Sequence, residues 1–141
     1  MLLPDVNVWL ALTFDSHTHH PAAKAWFDGL ANDPVCCFCR LTQQGFLRLA
    51  TNRSVFGKDA VPLPDAWRIY DLYLSDPRVL FAQEPADTES HWRRYTQSRT
   101  FSPRVWNDAY LAAFARAGGL EVVTFDSGFT QYQGVTSTIL A

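Results

Sequence analysis

Three aspartates of this chain stand where a folded α/β protein could use them to bind a metal ion. Asp5 follows a short apolar run, and Asp126 follows the apolar run 122–125. If both runs are parallel strands, both carboxylates emerge at the carboxyl ends of the strands, where ligands bind in open α/β sheets. Asp108 lies in the segment 106–115, whose apolar spacing predicts a helix that covers the sheet. Because clustered carboxylates repel one another unless a cation neutralises them, the three residues predict a divalent metal site.

Asp5 also has a purely structural interpretation. Asp5 and Asn7 fall at a predicted strand-to-helix turn, where a side-chain oxygen can accept hydrogen bonds from the first helical turn. Glu84 follows the predicted strand 79–82, so its carboxylate either reaches the same sheet edge or is a solvated loop residue. The sequence leaves both alternatives open.

Arginine supplies ten of the twelve basic residues, and its planar guanidinium suits phosphate contacts and stacking on bases. Two arginines alternate with aromatic residues in the predicted helix 87–97, and two flank a loop rich in Ser, Thr and Pro. This combination can hold phosphates and stack unpaired bases, although a solvated helix face explains it almost as well. The candidate nucleic-acid contacts are Arg48, Arg93, Arg94, Arg99 and Arg104.

The elements that must position these residues alternate regularly along the chain. Apolar runs predict strands at 2–4, 35–39, 79–82, 121–125 and 135–140, and apolar spacing predicts helices at 6–12, 22–30, 41–51, 62–74, 87–97 and 103–118. Residues 52–59 are predicted to be a loop because of their polar and glycine content. Strands separated by helices indicate βαβ units, hence a three-layer α/β/α fold with a mostly parallel central sheet. The 141 residues fit one domain, 1–141.

The composition argues against several classes of protein. A net charge of −2 argues against a surface that binds nucleic acid everywhere, yet it permits a local basic patch. No run approaches the roughly 20 apolar residues of a membrane span, and we expect a cytoplasmic protein.

Three cysteines lie in one predicted strand, where core packing is expected, and three histidines share the polar loop 15–21 without the spacing of a zinc site. Aromatic residues of helix 62–74 indicate either core packing or a homodimer surface.

Four segments in this order resemble the PIN domain, and specifically the VapC-type toxins of bacterial toxin–antitoxin pairs. They are Leu3-Pro4-Asp5-Val6-Asn7-Val8-Trp9-Leu10, Arg40-Leu41-Thr42-Gln43-Gln44-Gly45-Phe46-Leu47-Arg48, Trp106-Asn107-Asp108-Ala109-Tyr110-Leu111-Ala112, and Val123-Thr124-Phe125-Asp126-Ser127-Gly128-Phe129. Each is weak alone, but four at these distances are specific.

The resemblance implies an endoribonuclease whose acidic cluster holds Mg²⁺ or Mn²⁺. Asp5, Asp108 and Asp126 match the first, third and fourth acidic positions, and many relatives carry glutamate at the second, where this chain has Gly45. The missing carboxylate implies weaker metal binding until an RNA phosphate joins the ion. The residues expected to support the site with oxygens or hydrogen bonds are Asn7, Thr42, Gln44, Glu84 and Thr124.

The resemblance also implies partners: a VapB-type antitoxin, an RNA substrate (tRNA, rRNA or mRNA), and a second copy of the chain in a homodimer. Contact with DNA is expected only through the antitoxin. Gly45 supports an alternative, a catalytically inactive scaffold that binds RNA or protein. A phosphatase or flavodoxin-like regulatory domain is a more remote alternative, since Asn7 stands where phosphotransfer domains usually have a second aspartate.

Overall fold

The computed structural model describes residues 1–97 and 100–141. Within these ranges the strands form one parallel sheet in the order β3-β2-β1-β4-β5. They are β1 (Leu2–Pro4), β2 (Cys36–Phe38), β3 (Val79–Phe81), β4 (Glu121–Thr124) and β5 (Ser137–Ile139). The chain builds outward from β1 on one side, then crosses to β4 on the other. The carboxyl ends of β1 and β4 therefore flank the switch point where α/β sheets bind ligands.

Helices cover both faces of the sheet. They are α1 (Val6–Thr13), α2 (His20–Asp28), α3 (Arg40–Ala50), α4 (Arg53–Phe56), α5 (Leu63–Ser75), α6 (Thr88–Tyr95) and α7 (Val105–Gly118). Short 3₁₀ turns lie at Gly57–Asp59 and Ser127–Gln131. The predicted three-layer α/β/α arrangement is confirmed, and the strand pairing observed is parallel throughout the described chain.

Two apolar cores, one on each face, fix the helices to the sheet. On one face Trp9 of α1 stacks on Phe38 of β2, with ring centroids 4.0 Å apart. On the other face α7 is apolar almost all round, and its buried alanines let it lie close to the sheet and to α6. Gly119 ends α7 in a left-handed conformation with φ +65°, which is typical of a glycine after the last helical turn. This packing holds α7, which carries Asp108, against the sheet.

Three local predictions were wrong. The predicted loop 52–59 contains α4, because the side chain of Asn52 accepts a hydrogen bond from the backbone N–H of Ser54 and caps a helical turn. Helix α7 begins at Val105, two residues after Pro103, with Arg104 at its N-cap. The last strand is Ser137–Ile139, shorter than the predicted 135–140.

The aromatic helix α5 is divided between core and surface. Tyr70 is only 6% exposed, and the hydroxyl of Tyr73 lies 2.8 Å from that of Thr13, so both rings serve the core. Trp67 and Leu63 are 50% and 68% exposed. The homodimer stays a prediction. In the described part of the chain, no helix has the length and apolar character needed to cross a bilayer.

Candidate active site

Asp5 occupies the turn between β1 and α1 and has two structural partners. Its Oδ1 accepts the backbone N–H of Val6 at 2.7 Å, so it caps α1. Its Oδ2 accepts a hydrogen bond from the Thr124 hydroxyl at 3.1 Å. Burial raises the pKa of Asp5, the hydrogen bonds from Thr124 and Val6 oppose the shift, and the charge of Asp126 adds to it. Capping is therefore one function of Asp5, and it also orients the carboxylate.

Thr124 joins the ends of the two central strands. Its hydroxyl donates to Asp5 and accepts the backbone N–H of Asp126 at 3.0 Å. Asp126 in turn uses Oδ1 to accept the backbone N–H of Gly128 at 2.8 Å, which caps the following 3₁₀ turn. One oxygen of each aspartate is thus fixed by the backbone.

Asp108 reaches the same place from the first turns of α7. Its pKa is raised to about 6, first because burial removes water from the carboxylate and then because the charges of Asp5 and Asp126 repel its own. Like charges raise the pKa of a carboxyl group when they lie near one another, and the Thr124 hydroxyl bonds both Asp5 and the backbone of Asp126. Residues separated by up to 121 positions in the sequence therefore form one acidic cluster.

Arg104 provides the positive charge of this cluster. Its guanidinium Nη1 lies 3.7 Å from Oδ2 of Asp126, and its charge opposes the pKa increases of Asp5 and Asp108. The Arg104 side chain is 66% exposed, so this ion pair is a weak and adjustable contact. The position of Arg104 follows from the late start of α7, which places it at the N-cap.

A cavity of about 420 Å³ opens at this edge of the sheet. Asp5 and Asp108 lie on its wall together with Arg48 and Arg104. The remaining lining residues are Val6, Asn7, Leu41, Thr42, Gln44, Gly45, Leu49, Pro103, Asn107 and Leu111. Carboxylates and arginines on one wall suit a substrate that carries phosphate and a cation together.

The donor atoms of this cavity fit a hard divalent cation, which prefers carboxylate, carbonyl and water oxygens. In the described part of the chain, no three His, Cys, Asp or Glu side chains lie close enough together to hold an ion directly. Asp5 and Asp108 would therefore share an ion with waters, and Asp126 would act through water or after Arg104 moves. Mg²⁺ commonly keeps several waters, so a pair of carboxylates is a suitable anchor.

Comparison with known proteins assigns the chain to a family. Residues 2–135 match the PIN domain. The chain is also 48% identical over its whole length to "Ribonuclease VapC41" of Mycobacterium tuberculosis, of which it covers 99%. This chain is a PIN domain of the VapC group. A further relative, "Ribonuclease VapC38" of the same organism, is 32% identical over 91% of this chain and 86% of its own length.

Solved structures confirm the PIN fold. VapBC2 of Rickettsia felis, solved bound to a promoter DNA fragment, has a TM-score of 0.71 at 14% identity and covers 99% of this chain and 98% of its own. The sarcin–ricin-loop-cleaving toxin VapC20 of M. tuberculosis has a TM-score of 0.67 at 20% identity, with 96% and 99% coverage. At identities of 14% and 20%, these TM-scores show a shared fold.

Gly45, which the resemblance places at the second acidic position of the PIN pattern, has little room for a side chain. A Cβ atom at Gly45 would lie 2.7 Å from Cγ2 of Val6, closer than carbon atoms pack. Val6 is β-branched, and its side chain has little rotational freedom in a helix. Gly45 and Val6 are therefore matched across α3 and α1, and a glutamate here would require a smaller residue at position 6.

This packing predicts that Gly45→Ala lowers the melting temperature of the parent by several degrees, because overpacking typically costs about 1–3 kcal/mol. In a Val6→Ala background the same substitution is expected to be neutral or stabilising, since alanine favours a helix by about 1 kcal/mol over glycine. Gly29→Ala is the control, because its Cβ would meet only ordinary contacts at 3.5 Å. Thermal unfolding of the four variants measures the coupling, and equal effects of Gly45→Ala in both backgrounds would contradict it.

The predicted supporting residues divide into two groups. Asn7, Thr42 and Gln44 line the cavity and Thr124 bonds Asp5, as described. The helical spacing of residues 41–51 predicts Thr42 on the exposed side of the helix together with Gln44 and Arg48, and for Thr42 this prediction is wrong. Thr42 is fully buried, because its hydroxyl accepts the N–H of Cys39 at 2.9 Å and closes the first turn of α3. Glu84 lies outside the cavity lining and accepts a hydrogen bond from the Tyr110 hydroxyl at 2.5 Å.

The predicted RNA-binding arginines also divide. Arg48 and Arg104 line the acidic cavity. Arg93 pairs with Glu89 on exposed α6 at 3.0 Å, and Arg94 borders a separate cavity beside Tyr95. Arg99 lies outside the described residues.

The sequence did not indicate that several residues line the cavity. Val6 and Asn107 sit next to predicted aspartates, but nothing in their spacing indicates that they face a cavity. Outside the cavity lining, burial and then the charges of Asp108 and Asp126 raise the pKa of Tyr132 to about 12. The three cysteines are buried free thiols, and burial raises the pKa of Cys36 and Cys37 to about 12, which agrees with core packing.

Proposed function

We propose that this PIN domain is a metal-dependent endoribonuclease that acts as the toxin of a toxin–antitoxin pair. The observation that carries the proposal is the acidic cluster: Asp5 and Asp108 line one cavity with Arg48 and Arg104, and Nη1 of Arg104 lies 3.7 Å from Oδ2 of Asp126. An uncompensated carboxylate cluster is destabilising, so its presence is best explained by a cation that binds there. The full-length relatives named as ribonucleases support nuclease chemistry over the inactive scaffold.

The cation proposed for this site is Mg²⁺, with Mn²⁺ as a substitute, held by Asp5 and Asp108. When bound, such an ion supplies positive charge to a phosphate oxygen and lowers the pKa of a nearby water. The two hydrogen bonds to Asp5 orient its carboxylate and favour its ionised form, against the effect of burial. Asp126 has one oxygen fixed by Gly128, which leaves Oδ2 to orient a water molecule near the scissile phosphate.

The other residues of the cavity bind the nucleic acid. Arg48 and Arg104 present guanidinium groups that can grip RNA phosphates on either side of the cleaved bond. Asn7 and Gln44 add amide groups to the same wall. Arg104 leaves Asp126 when a phosphate offers a stronger charge-assisted contact, because its ion pair with Asp126 is long and exposed.

The proposed partners are those of a toxin–antitoxin system. Similar folds have been solved as VapBC complexes, two of them with DNA. We propose that a VapB-type antitoxin covers the acidic cavity, that the toxin itself forms a homodimer, and that DNA is contacted through the antitoxin. The substrate class is a structured cellular RNA such as tRNA, rRNA or mRNA, cut in an unpaired segment.

Metal dependence is tested by cleavage and calorimetry together. The purified chain is expected to cut stem-loop RNA in Mg²⁺ or Mn²⁺, and a chelator is expected to abolish cleavage. Titration with Mn²⁺ is expected to show heat of binding that Asp5→Asn removes. A protein that binds RNA but shows neither metal heat nor cleavage would instead be the inactive scaffold.

A further inference from the structure

A second groove continues from the acidic cavity toward the histidine-containing loop. It has a volume of about 480 Å³, within the range of about 300–1,000 Å³ that small-molecule sites occupy. Asn7, Leu49 and Arg104 line both spaces, so the two are joined along a shared wall. The other lining residues are Leu10, Ser16, His17, Thr18, Val55 and Phe56. None of the lining residues is acidic, which distinguishes the groove from the neighbouring cavity.

The groove offers flat side chains held in fixed positions. Phe56 stacks on the buried Phe14, with ring centroids 4.0 Å apart and planes 17° from parallel. The ring of His17 lies 6.5 Å from that of Phe56. The loop that carries His17 is itself braced, because the N–H of His17 bonds the carbonyl of Phe14 and the N–H of His20 bonds the carbonyl of His17.

His17 is also fixed in its protonation and orientation. Its Nδ1 accepts the backbone N–H of His19 at 3.0 Å, so in the neutral ring the proton lies on Nε2. Burial and the nearby His19 and His20 lower the pKa of His17, which keeps the ring neutral near pH 7. A neutral imidazole with one fixed donor provides a stacking face and a hydrogen bond to a polar ring edge.

The groove carries a positive charge where it meets the acidic cavity, because Arg104 lines both spaces. Among the described residues, Arg104 is the only cationic side chain that lines both the groove and the acidic cavity. The closest carboxylate contact is at the outer edge, where the Ser16 hydroxyl donates to Asp59 at 2.9 Å. A nucleotide matches this pattern, with its phosphate at Arg104 and its base among the apolar and aromatic residues.

We propose that His17, Val55 and Phe56 form a subsite for the unpaired nucleobase next to the phosphate handled by Asp5 and Asp108, with Arg104 on the connecting phosphate. The proposal rests on the proposed ribonuclease function and deepens it, because it assigns a base-binding element. Val55 is 52% exposed beside the groove, so a bound base would cover apolar surface that water now contacts. Neutral rings and apolar side chains stack any base, which predicts tolerance of base identity.

The test compares RNA that has bases with RNA that lacks them. The probes are fluorescein-labelled single-stranded oligoadenylate and an abasic ribose-phosphate strand of equal length and charge. Binding is measured by fluorescence anisotropy with the full chain carrying Asp108→Asn, so that no cleavage occurs. Stacking of one base is worth about 1–3 kcal/mol, so His17→Ala is expected to weaken oligoadenylate about fivefold or more. Affinity for the abasic strand should stay within about twofold.

Two further variants separate stacking from structural damage. His17→Phe keeps a flat ring and is expected to retain most of the preference for oligoadenylate. Val55→Ala should reduce that preference. Leu72→Ala on α5 is the control, because Leu72 is also exposed but does not line the groove, and it should leave the preference unchanged. The thermal transition and the abasic affinity report whether each variant is folded.

The outcomes distinguish this proposal from the proposed function. Equal weakening of both probes, no preference for bases in the Asp108→Asn protein, or no effect of His17→Ala would each overturn the base subsite. If His17→Ala weakens only the complex with the antitoxin, the groove binds protein and the proposal is wrong. If the parent chain cleaves no RNA with any divalent metal, the ribonuclease function itself fails, whereas cleavage with an unchanged base preference rejects the subsite alone.

Discussion

Asn substituted for Asp5 or for Asp108 is expected to reduce RNA cleavage by at least about 100-fold at saturating Mg²⁺. Each aspartate supplies a charged oxygen to the site that would hold the ion, and metal assistance to phosphate chemistry is worth several kcal/mol, with about 1.4 kcal/mol per tenfold in rate. Asparagine preserves size and, at position 5, preserves an oxygen that can accept the N–H of Val6. The measurement is the initial rate of cleavage of a labelled stem-loop RNA at several metal concentrations.

Asp33→Asn is the matched control, since it removes the same charge from an exposed loop residue before β2. It is expected to cut RNA like the parent. Asp126→Asn should fall between the two, because one of its oxygens already serves the backbone of Gly128. Cleavage at the parent rate by both Asp5→Asn and Asp108→Asn would show that the acidic cluster is not the active site.

Asp108→Asn is also expected to make the metal-free protein more stable at neutral pH. Asp108 ionises near 3.8 in an unfolded chain and near 6 in the folded protein, so between these values the folded state binds more protons. The free energy of unfolding therefore falls as pH rises through this window and stays low above it. Asparagine carries no charge and avoids this loss.

The expected gain at pH 7.5 is about 1 kcal/mol, or about 3–5 °C in melting temperature, after discounting for the partial exposure of Asp108. The measurement is thermal unfolding of parent and variant in chelator from pH 4.5 to 7.5. The difference in melting temperature should grow with pH and level off above about 6. Addition of Mn²⁺ should stabilise the parent and not the variant. Identical melting temperatures across the range would contradict the raised pKa of Asp108 in the folded protein.

Taken together, the two results would show that the same residue limits stability and enables catalysis. A carboxylate placed beside two others is costly in the free protein, and a cation removes that cost. Arg104 already offsets part of it through its contact with Asp126. Because position 45 is a glycine and not a glutamate, the site has one negative charge fewer and less repulsion. A metal held by fewer carboxylates is expected to bind most strongly together with an RNA phosphate.

The proposed nucleobase groove gives the histidine-containing loop a role other than zinc binding. His17 and His20 each use Nδ1 for a contact with the backbone, at the N–H of His19 and at the carbonyl of Ala11. His19 stacks on Phe125, with ring centroids 4.3 Å apart, and so packs against the residue before Asp126. Each of the three rings therefore has a contact within the fold, and the rings of His17 and His19 also lie 5.8 Å apart.

The sequence alone determined the fold and predicted the three aspartates of the candidate site. Apolar runs spaced by helices require a parallel sheet, and Asp5 and Asp126 follow the strands that become its two central neighbours. Local chemistry also determined the glycine stop after α7 and the cap of α1. These features depend on residues close together in the chain, which is why pattern and composition are sufficient to predict them.

Only the tertiary structure decided which other residues join the site. Thr42 is buried because its hydroxyl closes a helical turn, Glu84 is directed to Tyr110, and Gly45 is matched to Val6 across two helices. Arg104 reaches Asp126, and His17 approaches Phe56, through contacts between segments that no local pattern connects. Such pairings depend on helix starts and side-chain packing between distant parts of the chain, and periodicity in a sequence carries no information about either.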